Sequence, residues 1–441
     1  MNSPAMIRQI LDEVKIYMAG KAFDTNCLPL DWKFDRLKDV ALVNRTSLTA
    51  NTDPDYEFDY LEISNVNYHG IIDHQAIEHL RYEDAPSRAR RRVGKNNTVI
   101  SSVRPNLQAV AFLPDVGQDF VCSTGFNVVQ AREIKHHPKF VYYTLISESA
   151  RQYFESIAKG VGYPAIDEKD FNSLPLPLPP RPEQERIAAF LDASCAAIDA
   201  AVSAKQRQIE TLDSIVDATL HKAFANAEWP QERIKDVTIK IGSGVTPEGG
   251  AANYLNEGIP LLRSQNIHFD GLHLDDVAFI SEETHAEMSN SQIKPRDVLL
   301  NITGASIGRC TYVPENFGEG NVNQHVCIIR GNHQIDYRFL SSFLSSPIGQ
   351  GQVLSSFTGA SRQGLSHIEL GLISVPLPSI DVQRTIIADL ERRMLQQKQI
   401  HGNIESQITT LTTFRKSLIY ECVTGQRRIM ESDLKKVKAY G

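Results

Sequence analysis

Trp32-Lys33-Phe34-Asp35-Arg36-Leu37-Lys38-Asp39-Val40 recurs as Trp229-Pro230-Gln231-Glu232-Arg233-Ile234-Lys235-Asp236-Val237. The shared pattern is Trp-x3-Arg-[Leu/Ile]-Lys-Asp-Val, and the two tryptophans are separated by 229 − 32 = 197 residues. The chain has no other tryptophan. Because both tryptophans occupy the same place in the same signature, the sequence indicates a tandem duplication.

A second repeated stretch sets the period of the duplication. Pro177–Leu191 and Pro376–Leu390 share the pattern Pro-Leu-Pro-x4-Gln-x2-Ile-x-Ala-x-Leu, at an offset of 376 − 177 = 199 residues. Solenoid repeats are about 20 to 50 residues long, so this period is too long for a solenoid. The 441-residue chain therefore contains two whole domains of about 200 residues, each followed by its own linker.

The linkers are predicted to be long helices. After an extended, proline-rich lead-in at 174–182, residues 183–225 contain no proline or glycine, and apolar residues recur every three or four positions. The second copy runs from 382 to 423. Asp381 and Gly425 are expected to cap that helix, and Asn226 is expected to end the first helix in a left-handed conformation.

Helices of this length need a partner for their narrow apolar stripe. Each would measure about 65 Å at 1.5 Å per residue. We predict that the two copies pack on each other as an antiparallel coiled coil. The alternative is that each helix lies across its own domain.

The segments outside these helices predict an α+β fold. Short strand-like runs at 98–100, 110–113, 298–300 and 326–329 alternate with Gly, Asn, Pro and Asp clusters, and single helical segments are expected at about 139–158 and 336–349. The fold class is therefore two tandem domains with a mixed, partly barrel-like strand core. The predicted boundaries are an N-terminal helix at 1–23, a first domain at 24–178, a central helix at 179–228, a second domain at 229–378, and a C-terminal helix and tail at 379–441.

Charge and composition narrow the class of protein. The net charge is −7, which argues mildly against nucleic acid, but the stretch Arg88–Lys95 carries five cations and no acid. That stretch is either a basic stripe for phosphates or a solvated loop. The six cysteines show no CxxC pair and no metal-ligand spacing, so no metal site is expected. No apolar run of about 18 residues and no secretory layout at the N-terminus are present, so we expect no membrane span and a cytoplasmic location.

The paired motifs resemble the specificity subunit of Type I restriction-modification systems along the whole chain. Second-domain signatures add to the resemblance, namely Ile-Pro-Leu-Leu-Arg-Ser-Gln-Asn-Ile at 259–267, Asp-Val-Leu-Leu-Asn-Ile-Thr-Gly at 297–304 and Gly-Ala-Ser-Arg-Gln-Gly-Leu at 359–365. The first domain aligns only loosely, at 61–66 and 99–105. The resemblance therefore does not identify which loops of the first domain touch DNA.

The resemblance implies a non-catalytic DNA reader. Two target recognition domains would each read one half of a bipartite sequence in double-stranded DNA. The long helices would separate them, set the length of the unread spacer and dock two methyltransferase subunits, with restriction/translocase subunits as further partners. S-adenosylmethionine, ATP and Mg²⁺ are expected in those partners, and this chain is expected to carry no cofactor.

Three other functions share features with this sequence. Asp115, Glu133 and Lys135 outline a metal-dependent nuclease centre, but the second copy has Glu315, His333 and Ile335 there, without the lysine. A methyltransferase is disfavoured because 242–244 is a lone Gly-Ser-Gly and no Asn/Asp-Pro-Pro-aromatic motif follows. A coiled-coil scaffold with two protein-binding domains shares the whole architecture and stays open.

Candidate DNA-binding residues follow from the chemistry of base edges. Arginine donates to guanine, asparagine and glutamine bind adenine, and serine or threonine can bind either. The candidates in the first domain are Arg88, Arg90, Arg91, Lys95, Asn96, Asn97 and Arg104. Those in the second domain are Arg263, Gln265, Asn266, Thr303, Arg362 and Gln363. No catalytic or metal-binding residue is predicted.

Overall fold

The computed structural model describes residues 28–67, 70–103, 109–158, 165–247, 249–250, 254–358 and 364–440. The helix predicted at 1–23 lies outside these residues. The chain divides into two compact units, one formed by Met1–Ala204 with Gln407–Gly441 and the other by Lys205–Ser406. Each long helix contributes residues to both units.

The elements of the first globular domain are β1 Lys33–Arg36, α1 Leu37–Val40, β2 Ala41–Val43, β3 Glu57–Leu61, β4 Glu78–Arg81, β5 Ala89–Arg92, β6 Asn97–Ser101, β7 Val110–Leu113, β8 Phe120–Ser123, β9 Phe126–Ala131, α2 Pro138–Leu145, α3 Glu148–Ile157, α4 Glu168–Phe171 and β10 Pro175–Leu178. The first long helix, α5, spans Arg181–Phe224.

The elements of the second globular domain are β11 Gln231–Arg233, β12 Thr238–Ser243, β13 Ile259–Leu262, β14 Ile267–His268, β15 Gly271–Leu272, β16 Ala278–Ile280, α6 Glu282–Glu287, β17 Val298–Asn301, β18 Cys310–Tyr312, β19 Asn321–Val322, β20 Val326–Gly331, α7 Tyr337–Ser345, α8 Pro347–Thr358, α9 His367–Leu372 and β21 Ser374–Pro376. The second long helix, α10, spans Ile380–Val423, and α11 spans Glu431–Tyr440.

The two globular domains have related sheet plans. The first has an antiparallel sheet in the order β2-β9-β6-β7 and a mixed sheet β4-β3-β8-β5 in which β3 and β8 are parallel. The second has an antiparallel sheet β12-β20-β17-β18 and a mixed sheet β16-β13-β19 in which β13 and β19 are parallel. Among the described residues these sheets are open, and none closes into the partly barrel-like core that was expected.

The two repeated sequence motifs meet in space. Strand β1, which follows Trp32, pairs antiparallel with β10, the Pro-Leu-Pro stretch. Strand β11, which follows Trp229, pairs with β21 in the same way. Each motif thus forms one strand of a two-stranded antiparallel sheet, which joins the start of a globular domain to its end just before the long helix begins. The lead-in at 174–182 is extended as expected, and its prolines fit because this strand has a single partner.

A buried glutamine fixes the start of each long helix to its domain. The Gln184 side chain accepts a hydrogen bond from the His137 backbone N–H at 2.9 Å and donates to the Pro179 carbonyl at 2.9 Å. Gln383 accepts from the Asp336 N–H at 2.8 Å and donates to the Pro378 carbonyl at 2.9 Å. This repeated contact explains the glutamine of the repeated motif, because each amide pairs buried backbone groups.

The long helices form as predicted, with differences at their ends. Helix α10 begins at Ile380, so Asp381 lies in the first turn instead of capping it. Gly425 has φ +77°, as expected for a left-handed cap. Asn226 does not adopt positive φ, and its side chain instead accepts from the Glu228 N–H at 3.0 Å.

Within each unit, α5 and α10 run antiparallel. In the first unit, Arg186 near the start of α5 donates to the Ile429 carbonyl at 3.3 Å, whereas Asp199, further along, pairs with Arg415 at 3.0 Å. In the second unit, Phe224 at the end of α5 shares a core with Ile387 near the start of α10. The alternative is also partly realised, because the first turns of each helix pack on the core of a globular domain.

Among the described residues, α5 has the length and composition that a membrane-spanning helix needs. One stretch of 18 residues has a mean hydropathy of 1.6, and 33% of that stretch is buried. Core helices pass the same test. The apolar residues Ile187, Leu191, Cys195 and Ile198 belong to the core of the first unit, which accounts for the hydropathy of the stretch.

The short helices correct another expectation. The single helical segments expected near 139–158 and 336–349 are each two helices, α2 with α3 and α7 with α8. Ser147 and Ser346 interrupt them, and their hydroxyls accept from the N–H groups of Ala150 at 3.3 Å and Gly349 at 3.2 Å. A serine that caps a new helix explains the break, since it replaces the continuing helical hydrogen bonds.

Candidate nucleic-acid interface

In the first domain, four loops converge where strands β3 and β8 end. These strands are parallel, so their carboxyl ends meet at one edge. Thr124, after β8, donates its N–H to the Arg88 carbonyl at 2.8 Å, and Ser102, after β6, donates to the Gly125 carbonyl at 2.8 Å. We call this edge, formed by 62–65, 88, 102–103 and 123–125, the strand-end edge of the first domain.

The second domain builds the same edge from β13 and β19. Asn323 donates its N–H to the Leu262 carbonyl at 3.1 Å, and Ile302 donates to the His325 carbonyl at 3.0 Å. The side chain of Asn301 donates to the Ser264 carbonyl at 2.8 Å. The strand-end edge of the second domain is therefore formed by 263–266, 301–303 and 323–325.

A buried asparagine shapes the first turn of each edge. Asn65 accepts from the Glu62 N–H at 2.6 Å and donates to the Ala76 carbonyl at 3.1 Å. Asn266 accepts from the Arg263 N–H at 2.9 Å and donates to the His273 carbonyl at 2.8 Å. Asn266 is only 1% exposed, so the amide that was predicted to read adenine is engaged by backbone groups.

Charged and aromatic side chains meet at the edge of the first domain. Arg88 is exposed and donates to the Glu62 carboxylate at 2.8 Å, and the Tyr60 hydroxyl donates to the same oxygen at 3.2 Å. The hydrogen bond with Tyr60 and the charge of Glu62 raise the pKa of Arg88, which keeps its guanidinium charged. Burial raises the pKa of Tyr60. The edge therefore presents a permanently charged guanidinium beside its own counter-charge.

The edge of the second domain carries a comparable group. Arg263 donates to the Asp276 carbonyl at 2.8 Å, and its guanidinium carbon lies 5.7 Å from the centre of the Tyr254 ring. The side-chain amide of Gln265 donates to the Asp276 carboxylate. The Nε of Arg263 is buried and has no hydrogen-bond acceptor among the described residues. Both predicted residues, Arg263 and Gln265, thus donate hydrogen bonds to the same residue, Asp276.

Thr303 lies in a polar network of which it is the one member predicted from sequence. Its hydroxyl lies 2.6 Å from His325 Nδ1, and His325 Nε2 lies 3.0 Å from the Gln324 amide nitrogen. Gln324 also contacts the hydroxyl of exposed Thr246. Thr246, Gln324 and His325 were missed because they lie on two loops distant in sequence from Thr303. The antiparallel pairing of β20 with β12 and β17 would have been needed to find them.

The arginine-rich stretch forms strand β5 and is not a loop. The Arg90 guanidinium donates to the Ala89 carbonyl at 2.8 Å and lies 4.8 Å from the Tyr82 ring centre. Arg91 is half-buried and donates to the Phe126 carbonyl and, at 3.1 Å, to the Asn127 side chain. Burial lowers the pKa of Arg91. Both side chains contact the rest of the domain, so they do not belong to a free basic stripe of the kind that the sequence suggested.

Three further candidates lie at the opposite end of the sheet. Strand β6 runs from Asn97 to Ser101, so Lys95, Asn96 and Asn97 lie at its start, away from the strand-end edge. Asn97 is 5% exposed and accepts from the Gly94 N–H at 2.9 Å. Asn96 adopts a left-handed turn with φ 59°. These residues shape the turn between β5 and β6. Arg104, Arg362 and Gln363 lie outside the described residues.

One group of side chains among the described residues has metal-ligand spacing, although none was expected from sequence. His268, Asp270 and His273 lie on the β14–β15 hairpin, with ligand atoms within 4.8 Å of one another. The histidine rings stack with centres 3.9 Å apart and an interplanar angle of 13°. His268 Nε2 bonds the Gln265 carbonyl at 2.9 Å, and His273 Nε2 bonds Asp270 at 3.0 Å. The stacked rings and these hydrogen bonds hold the β14–β15 hairpin together, so the cluster has a structural explanation that needs no metal.

Comparison with known proteins decides the family. The family model described as the Type I restriction modification DNA specificity domain matches residues 29–211 and again residues 226–438. The chain belongs to this family. It is a Type I specificity subunit with two tandem DNA specificity domains, which confirms the predicted family and function class. The alternatives of a protein scaffold and a nuclease find no support.

Relatives of the specificity subunit match along most of its length. The specificity subunit of the Type I enzyme EcoBI from Escherichia coli is 24% identical over 68% of this chain and 67% of its own. The putative MjaX specificity subunit from Methanocaldococcus jannaschii is 22% identical over 82% of this chain and 87% of its own.

Solved structures show the same fold. A chain from a study of assembly and conformational transition in a type I system is 21% identical and covers 90% of this chain and 98% of its own, with a TM-score of 0.77. The HsdS subunit from Thermoanaerobacter tengcongensis is 22% identical and covers 91% of this chain and 98% of its own, with a TM-score of 0.53. The predicted fold class of two tandem α+β domains with long helices is confirmed.

Proposed function

We propose that this specificity subunit is the DNA reader of a Type I restriction-modification complex, and that each strand-end edge reads one half of a bipartite target. Residues 24–178 and 229–378 would be the two readers. Residues 1–23, 179–228 and 379–441 would form the helical frame between them. The partners would be double-stranded DNA, two methyltransferase subunits and the restriction/translocase subunits, in the cytoplasm.

One observation carries the proposal: each domain gathers side chains of the base-reading type at a single edge. Arg88 and Thr124 lie at the first edge, and Arg263, Gln265 and Thr303 lie at the second. Loops that cluster on a rigid sheet can hold donors and acceptors in a fixed register against the major groove. The net charge of −7 is compatible with this, because contacts to bases depend on local geometry more than on total charge.

The structure narrows the candidate set used in this proposal. Asn97 and Asn266 have amides committed to backbone groups, and Arg91 is half-buried. The base-reading set therefore centres on Arg88, Arg263, Gln265 and Thr303, and on Arg104, Arg362 and Gln363, which lie outside the described residues.

We also propose that the long helices dock the methyltransferase subunits and set the spacer. Helix α10 leaves Leu395, Ile400 and Phe414 exposed, by 60%, 48% and 51%. Apolar side chains such as these, in contact with water along one helix, could be covered by a partner protein. The helices measure about 65 Å each, roughly the rise of 19 base pairs of DNA.

The chain is proposed to have no catalytic activity of its own. S-adenosylmethionine, ATP and Mg²⁺ would act in the partner subunits. The buried cysteines support this view for thiol chemistry, because burial raises the pKa of Cys122, Cys310 and Cys327 to about 12, well above the range of a nucleophilic thiolate.

The test is target binding by the assembled complex with an altered second edge. The double variant Arg263→Ala with Gln265→Ala should weaken specific binding by at least about tenfold, since a bidentate base contact contributes about 1–3 kcal/mol of discrimination. Binding to random duplex should change little. Lys294→Ala is the matched control, because Lys294 is exposed before the start of β17, at the opposite end of that strand. Equal losses in the double variant and the control would contradict the proposal.

A further inference from the structure

Among the described residues, each strand-end edge has an arginine beside a carboxylate and a tyrosine, but the arginine comes from a different strand in each domain. In the first domain Arg88 precedes β5, and Glu62 occupies the first position of the turn. In the second domain Arg263 occupies that first position, and its carboxylate is Asp276. The two domains therefore place a guanidinium at the same edge by different routes.

The carboxylates need an explanation, because an acid at a DNA-facing surface repels phosphates. Glu62 is anchored to the turn, and Asp276 is 83% exposed. Each contacts its arginine, at 2.8 Å for Glu62 with Arg88 and 3.6 Å for Asp276 with Arg263. An arginine paired in this way has less net attraction for phosphates in general, while its orientation is fixed.

The arginines keep donors available for a base. A guanidinium has five N–H donors, and the Glu62 contact uses one Nη2 donor of Arg88. The contact with the Asp276 carbonyl uses one Nη2 donor of Arg263. The guanine edge in the major groove offers two acceptors, O6 and N7, which match an arginine fork.

We propose that Arg88 and Arg263 each read one guanine, one in each half of the target, and that Glu62 and Asp276 are positioning residues that orient these arginines. This inference rests on the proposed function and specifies its chemistry. It assigns a base to each domain and gives the acidic residues a role in discrimination. Asp276 would position Gln265 as well, because it accepts a hydrogen bond from the Gln265 amide.

The test uses 7-deazaguanine, which lacks the N7 acceptor. The target is first read from methylated positions in cells that carry the complex. Each guanine of the target is then replaced singly, and binding of the assembled complex is measured. In wild type, one guanine in each half should show a loss of about 5- to 100-fold. Arg88→Ala should remove that penalty in one half only, and Arg263→Ala in the other half only.

Two further variants separate base reading and positioning from a structural role. Arg88→Lys keeps the charge but replaces the planar fork with a single ammonium, so the 7-deazaguanine penalty should fall by a larger factor than the affinity for random duplex. Glu62→Ala should reduce the penalty in the half read by Arg88, and Glu62→Gln, which keeps an acceptor, should restore most of it. If the role of Glu62 were purely structural, Glu62→Ala would weaken binding to the target duplex and to random duplex equally, and the 7-deazaguanine penalty would stay unchanged.

The inference is overturned if either half contains no guanine, if every guanine tolerates replacement, or if Arg88→Ala keeps the penalty. Those results leave sequence-specific binding intact, so the proposed function would survive them. Loss of all sequence preference in the wild-type complex is a different result, and it would overturn the proposed function together with this inference.

Discussion

Replacing Gln383 with leucine should detach the start of α10 from the second domain. The Gln383 side chain is 0% exposed and has three backbone partners. It accepts from the Asp336 N–H at 2.8 Å and donates to the Gln334 and Pro378 carbonyls, both at 2.9 Å. Leucine has a similar volume, so Gln383→Leu removes the hydrogen bonds without opening a large cavity.

The size of the effect follows from those partners. A buried N–H group without an acceptor costs about 1–3 kcal/mol, and the two carbonyls lose a donor as well, so we expect a total of about 2–4 kcal/mol. In a unit of about 200 residues, 1 kcal/mol shifts Tm by about 2–4 °C. The transition of the second unit should therefore fall by about 4–16 °C. Gln184→Leu removes two side-chain hydrogen bonds from the first domain, whereas Gln383→Leu removes three from the second, so the decrease in Tm should be smaller for Gln184→Leu.

Differential scanning calorimetry measures the change in Tm, and hydrogen exchange of the Asp336 amide reports the local contact. The control is Gln399→Leu, because Gln399 is exposed on the same helix and should shift Tm by less than about 2 °C. If Gln383→Leu shifts Tm no more than this control and leaves exchange of the Asp336 amide unchanged, the glutamine does not anchor the helix.

Three further outcomes are expected. Burial lowers the pKa of His136, so the imidazole binds a proton more readily in the unfolded chain than in the folded one. The stability of the first unit should therefore fall as the pH drops below about 6.5. In thermal melts at pH 5 to 7.5, His136→Leu should make this pH dependence weaker. Deleting one heptad from each long helix should shorten the spacer by about three base pairs with both half-sites unchanged, as read by methylome sequencing. The purified chain with S-adenosylmethionine, Mg²⁺ and ATP should transfer no methyl group in a radiolabel assay; turnover above background would contradict the proposed lack of catalysis.

The duplication was readable from sequence because its anchors carry structural roles that few residues can fill. Trp32 packs edge-on against Phe140, at 6.5 Å between ring centres, and its Nε1 donates to Glu183 at 3.3 Å. Gln184 and Gln383 satisfy buried backbone groups at the same point of both copies. Such local requirements repeat with the sequence, so the tandem plan and both long helices could be predicted.

The sites were less predictable because residue type does not reveal which groups are already paired. Asn97 and Asn266 have the chemistry of base readers, yet each completes a turn. Arg90 and Arg91 belong to a strand, where the Arg90 side chain lies against Tyr82 and the Arg91 side chain donates to the Phe126 carbonyl, 35 residues away. Antiparallel pairing of β17 with β20 brings His325 to Thr303, and nothing in the local sequence indicates that these two strands pair.

The central claim is that two independent readers act in one chain, and exchange of one reader tests it most directly. Residues 24–178 are replaced by the matching domain of a relative with a different target, and the methylome of cells carrying the chimeric complex is sequenced. One half of the recognised sequence should change, and the other half, read through Arg263 and its neighbours, should stay the same. A simultaneous change in both halves would contradict the account.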